Sequence, residues 1–296
     1  MIRAIAAVLV VMESVTGTVS AQDSRERLLA DANSAYRSLH AAEAVRLYRQ
    51  YLALYPGRPD VMVFLGGALL NLNQFQSALE EAQRAIALDP RYAKGYILAG
   101  RVSAALAQWD RAQDFFETAE RLDRLDVDAW YFSGRAFYDA NRFELAIGAF
   151  EQALRAGAEQ SRVYENLGLA EDSLGQFAAA EKSFRKAVEL AHGAWSPYLA
   201  YGAFLFRQTR PAESLRVLHQ ALALAPTAVA VRFELARVLY HENSLEEAAQ
   251  VLEPVKSSSE CRIHNLLARI YLASGKSGPA EGEIKALENC ETAPGP

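Results

Sequence analysis

The sequence is poor in the residues that carry out covalent chemistry. Of 296 residues only two are cysteine and five are histidine. The histidines, His40, His192, His219, His241 and His264, never fall at the i, i+4 spacing that lets one helix face hold a metal ion. Neither a glycine-rich phosphate loop nor a Gly-x-Ser-x-Gly elbow occurs. These absences predict a protein without metal, cofactor or catalytic activity. Positive charge is scarce too: 31 Lys and Arg stand against 36 Asp and Glu, a net charge of −5. That balance disfavours a phosphate backbone, so no nucleic acid partner is expected. Beyond residue 21 no apolar run approaches the roughly 18 residues of a membrane-spanning helix, and membrane insertion of the body is not expected.

What is present is material for a folded chain, 51% hydrophobic and 23% charged. Residues 1–21 stand apart. "MIR" supplies a positive charge, "AIAAVLVVM" is an apolar run, and "VSA" places small residues ahead of Gln22. That order predicts a secretory signal peptide cut after Ala21, hence an extracytoplasmic protein, periplasmic or secreted. The alternative is an N-terminal helix packed on the body of the chain, and Glu13 favours that alternative. No cysteine stands near the cut, so a lipid anchor is not indicated.

The stretch "SALEEAQRAIALDP", residues 77–90, returns in layout at residues 111–124 as "RAQDFFETAERLDR". Set out at a 34-residue period, units start near 25, 59, 93, 127, 161, 195, 229 and 261, the seventh being two residues short. The eighth place holds Ala32, Gly66, Gly100, Gly134, Gly168, Gly202, Ala236 and Ala268. The twentieth holds Ala in every unit except the sixth, where Ser214 stands, and the twenty-seventh holds Ala from Ala85 to Ala221 in five units. Columns of this kind mark a repeat array. Small residues at places eight and twenty let two antiparallel helices approach closely, while larger apolar residues at places four, seven, eleven and twenty-four fill the space around them. Asn73, Asn141, Gly175, Asn243 and Gly275 share the fifteenth place, where Asn or Gly can take the left-handed conformation that ends a helix. Pro56, Pro90 and Pro226, at the thirty-second, stop the second helix.

The pattern resembles the tetratricopeptide repeat. The unit at 127 carries it through Trp130, Gly134, Phe137, Ala146, Phe150 and Ala153, and the unit at 161 through Tyr164, Leu167, Gly168, Ala180, Phe184 and Ala187. The resemblance spans residues 25–290 with a tail at 291–296. It implies an all-α, right-handed superhelical solenoid of helix-turn-helix units whose first helices line a concave groove for a protein or peptide. Tyr51 and Leu287 replace the usual Ala in the terminal units, where one face meets solvent.

On that implied groove the sequence places Arg101, Tyr131, Arg135, Tyr138, Arg162, Phe206, Phe233, Arg237, Tyr240 and Arg269 as candidate binding residues, with Arg207 and Arg262 beside them. Arginine and aromatic residues contribute disproportionately to interfaces, because the guanidinium offers forked donors and rings bury large area at low entropic cost. Arg101 and Arg135 share a place in adjacent units, as do Arg237 and Arg269. The alternative is pairing with acidic neighbours such as Asp139 and Glu165 on a solvated face. Some members of the family clamp a chaperone's C-terminal carboxylate through five polar residues. Here those places hold Leu29, Asn33, Phe64, Lys94 and Leu98, which argues against that ligand. A different role for such an array is a structural subunit of an envelope assembly or export machinery, working through its convex face or by self-association.

Cys261 opens the first helix of the last unit and Cys290 closes the second, 29 residues on. In an antiparallel hairpin those ends meet, so a disulfide is expected in an oxidising compartment, the alternative being two free thiols in the cytosol.

Overall fold

The computed structural model describes residues 23–158, 160–257 and 260–292. The predicted signal peptide lies outside them, as does most of the tail. The described residues are helical apart from turns, without a strand. They form eight consecutive helix pairs. The first pairs α1 (23–37) with α2 (Ala41–Leu54). Three more come after it: α3 (Pro59–Asn71) and α4 (Phe75–Leu88), α5 (Ala93–Ala105) and α6 (Trp109–Leu122), α7 (Val127–Asp139) and α8 (Phe143–Arg155). Contacts then divide the chain into two compact units, at the bond between Gly157 and Ala158. The second unit holds α9 (Ser161–Ser173), α10 (Phe177–Glu189), α11 (Ser196–Arg207), α12 (Pro211–Leu224), α13 (Val229–His241), α14 (Leu245–Leu252), α15 (Cys261–Ala273) and α16 (Ser277–Thr292).

The small residue at place eight sets each hairpin's spacing. A Cβ added to Gly134 would stand 2.6 Å from the Phe150 ring, and one on Gly202 would stand 2.6 Å from Leu218, each a place-twenty-four residue of the same hairpin. The missing Cβ lets that side chain lie directly on the first helix, where Phe150 and Leu218 are fully buried. Burying each such side chain contributes about 1.5–3 kcal/mol. The second hairpin departs from this rule. Its place twenty-four is Ala82, too small to reach across, and the space over Gly66 is filled by Leu98 from the next hairpin.

Every hairpin turns through one residue of positive φ, always at place fifteen. Asn73, Asn141, Asn243, Gly175 and Gly275 are joined there by Leu39 (φ 61°), Ala107 (φ 54°) and Thr209 (φ 57°), which the sequence did not mark. The turn's hydrogen bonds demand that conformation whatever the side chain, as in the bond from the Gln74 amide back to the Leu69 carbonyl at 2.9 Å. The seventh hairpin is short because Pro254 lacks the amide that a continuing helix needs. Accordingly α14 has 8 residues and gives way to a 3₁₀ turn at Glu253–Val255.

Within each unit successive first helices touch: α3 with α5 and α5 with α7, then α9 with α11, α11 with α13 and α13 with α15. Among the described residues no two successive second helices pack to that extent. The first helices therefore form the inner side of each unit's curve. No helix among the described residues is long and apolar enough to cross a membrane.

Candidate functional site

The inner face of the first unit is built on aromatic packing. Tyr36 of α1 and Phe64 of α3 lie 6.4 Å apart between ring centroids. Gly67 leaves room for the Tyr36 hydroxyl, which would lie 2.8 Å from a Cβ there. Arg101 on α5 hydrogen-bonds Tyr36, and its guanidinium lies 4.2 Å over the Phe132 ring. Burial pulls its pKa below the ordinary arginine value, with Tyr36 opposing the shift, but a guanidinium stays charged in any protein setting. Arg101 is thus a structural cation between hairpins as much as a surface one.

Tyr131, Arg135 and Tyr138 do not form the cluster that their places imply. Tyr131 is only 6% exposed and packs against Phe132 at 5.2 Å and Phe150 at 6.1 Å, so it belongs to the interior and not to the open face. The cause is Gly134. It draws the Phe150 ring onto α7, and Tyr131, one helical turn earlier on the same side, covers the edge of that ring. Tyr138 turns toward Phe143 across the hairpin bend, at 5.5 Å. Arg135 alone of the three stands exposed.

In the second unit five of the expected residues come together across α11, α13 and α15. The Arg237 guanidinium lies 4.7 Å over Phe206, and that of Arg269 lies 5.1 Å over Tyr240. Arg262 covers Phe233 at 4.7 Å, and the His241 ring meets the edge of Phe206 at 5.2 Å. Each contact joins one hairpin to the next. The two first-named stacks obey one rule: an aromatic at place twelve receives an arginine from place nine of the following hairpin. In the sequence this is an aromatic followed 31 residues later by arginine, Phe206 to Arg237, or 29 residues across the short unit, Tyr240 to Arg269. That pairing of places, not composition, was the signal available.

Ion pairs temper this set unevenly. Arg207 bonds Asp172 at 2.5 Å, Arg262 bonds Glu260 at 2.6 Å, and Arg237 is bound by Glu234 through two nitrogens. Of the acidic neighbours expected as partners, Glu165 accepts a hydrogen bond from the Ser196 hydroxyl at 2.5 Å. Arg162 is exposed on α9, away from these stacks in sequence. Arg269 is exposed, and the Tyr240 ring is its contact.

At the end of the second unit Cys261 and Cys290 are joined, their Cα atoms 5.6 Å apart. On the same hairpin Glu283, 3% exposed, accepts from Lys256 at 2.8 Å and pairs with His264 Nδ1 at 2.7 Å. The hydrogen bond to Glu283 raises the Lys256 pKa.

Sequence models of the tetratricopeptide repeat match residues 40–101, 97–161, 133–194 and 205–259. A curated relative, the BBSome complex member BBS4 of Bos taurus, is 20% identical over 206 residues, which is 70% of this chain and 40% of that protein. The chain thus spans less than half the length of that relative. Among solved structures, the APC/C hetero-tetramer Cut9–Hcn1 superposes with a TM-score of 0.66 at 17% identity, over 89% of this chain and 52% of that one. A tetratricopeptide repeat protein from Parabacteroides merdae gives 0.60 at 14% identity, over 84% of this chain and 99% of that one. At these identities the structural likeness is one of fold.

Proposed function

Because the chain belongs to the tetratricopeptide repeat family, we propose that it is a non-catalytic scaffold that binds a peptide or protein segment along the inner face of its first helices. The observation that carries this reading is the pair of stacks Arg237 on Phe206 and Arg269 on Tyr240. Arginine held flat on a ring has lost side-chain entropy before a ligand arrives; Arg269 is exposed, while one edge of Arg237 is engaged by Glu234. We further propose that the scaffold works outside the cytoplasm. The order of residues 1–21 and the bridged pair Cys261 and Cys290 support that location.

A second reading has its own support. Leu54, Leu88 and Leu122 share place thirty of the first three hairpins, on the second helices, and are 66%, 52% and 38% exposed. An apolar row of that kind suits a subunit that docks into an envelope assembly through its outer side. The experiment is a crosslinking capture from the extracytoplasmic fraction of the native host. It uses wild type, an inner-face variant (Arg237→Glu, Arg269→Glu) and an outer variant (Leu54→Glu, Leu88→Glu, Leu122→Glu), all with unchanged helical circular dichroism. The inner-face reading expects the first variant to lose the partner and the second to keep it. The reverse result moves the function to the outer side.

A further inference from the structure

We propose that the inner face of the second unit selects an extended acidic segment, seating side-chain carboxylates three residues apart on Arg237 and Arg269. This rests on the inner-face reading above and adds the chemistry of the ligand to it. Charge is the first argument. The chain as a whole carries −5, yet α11, α13 and α15 carry Arg207, Arg232, Arg237, Arg262 and Arg269 with Glu234 as their one Asp or Glu. Asp172, Glu234 and Glu260 are already committed to Arg207, Arg237 and Arg262. Within a Debye length of about 8–10 Å the local excess of positive charge governs an approaching ligand, and the net negative charge of the rest is screened.

Geometry narrows the ligand further. Each guanidinium lies on a ring, so one face is occupied and a planar acceptor is met through the N–H edges, of which Arg237 shares one with Glu234. Arg269 is exposed and contacts Tyr240, so its donor edge is open to a carboxylate. The edge of Arg237 is shared with Glu234, and an incoming carboxylate there completes a three-member charge cluster. The two arginines hold the same place on adjacent packed helices, which lie about 8–10 Å apart. One turn of a polyproline-type segment advances about 9 Å over three residues and returns to the same side. Carboxylates three residues apart therefore meet both sites. Bases of a nucleic acid would need open rings, and the rings here are covered by the guanidinium groups.

The test is fluorescence anisotropy on the full chain, with a labelled peptide carrying Glu at every third position between Pro and Ala, and a twin in which every Glu is Gln. The acidic peptide is expected to bind about tenfold or more tightly than its twin. Arg269→Gln should weaken it by about tenfold and Arg269→Lys by less, with helical content unchanged, whereas Arg135→Gln in the other unit should leave it unaffected. Equal binding of the two peptides, or indifference to Arg269→Gln, overturns the proposal. If neither peptide binds while the inner-face variant still loses its partner in the capture experiment, the acidic chemistry is wrong and the scaffold reading stands.

Discussion

At the scale of single residues, the repeat tolerates some side chains and forbids others, and the difference is backbone geometry. Ala107 and Thr209 hold a conformation that glycine adopts at no steric cost, and a left-handed L-residue costs about 1–2 kcal/mol. Thr209→Gly or Ala107→Gly should therefore stabilise by about 0.5–1 kcal/mol, after the entropy glycine adds to the unfolded chain, read as a higher urea midpoint at unchanged slope. Gly134→Ala should do the opposite. The Phe150 ring blocks the new methyl, so a loss of about 1–3 kcal/mol is expected, partly restored by also making Phe150→Leu.

Glu120 on α6 has no feature in the repeat pattern that would single it out. Burial, opposed by a hydrogen bond to Ser133, pushes its pKa from 4.5 up to about 7. The folded state thus holds a proton between about pH 4.5 and 7 that the unfolded chain has released. Its contribution to stability is complete below pH 4.5 and is lost as pH rises through 7. Because the group is only part-buried, the loss should be about 1–2 kcal/mol, less than the full shift implies. Glu120→Gln should flatten this part of the stability profile and raise the melting temperature at pH 8. An unchanged slope between pH 5 and 8 would show that Glu120 does not titrate as described.

At the scale of elements, the last hairpin packs, among the described residues, against the seventh alone. The bridge between Cys261 and Cys290 closes a loop that on chain entropy stabilises by about 3–4 kcal/mol. Reduction, or Cys261→Ser, should raise amide hydrogen exchange in α15 and α16 by about two orders of magnitude or more, leaving α9 to α12 protected. Uniform exchange across the second unit would mean that the hairpin does not open on its own. Here sequence and structure divide instructively. The meeting of the two cysteines was legible from hairpin geometry, whereas the buried Glu283 with its partners Lys256 and His264 was not. Lys256 stands in the irregular turn that Pro254 creates, off the repeat's register, and only the path of that turn brings it to α16.

At the scale of the whole molecule, the proposed binding surface is assembled from successive hairpins of the second unit, each stack joining one hairpin to the next. If the chain is exported as proposed, protein purified from its native host should begin at Gln22, and intact mass should show two hydrogens fewer than the reduced form. A chain retaining Met1, with two free thiols, would return it to the cytosol. The 34-residue period determined by itself the all-helical hairpin architecture, the packing columns and most of the bends, because those are local demands of helix spacing and backbone conformation repeated eight times. Tertiary structure alone decided which candidate residues remain available. Tyr131 was withdrawn into the interior by a ring settling on Gly134, and Arg101 was taken up between hairpins. Arg237 and Arg269 were laid on the aromatics of the preceding hairpin. The burial of Tyr131 arises within one hairpin, whereas the arginine contacts depend on the pitch between neighbouring hairpins and on side chains about 30 residues away, which no place within a single unit encodes.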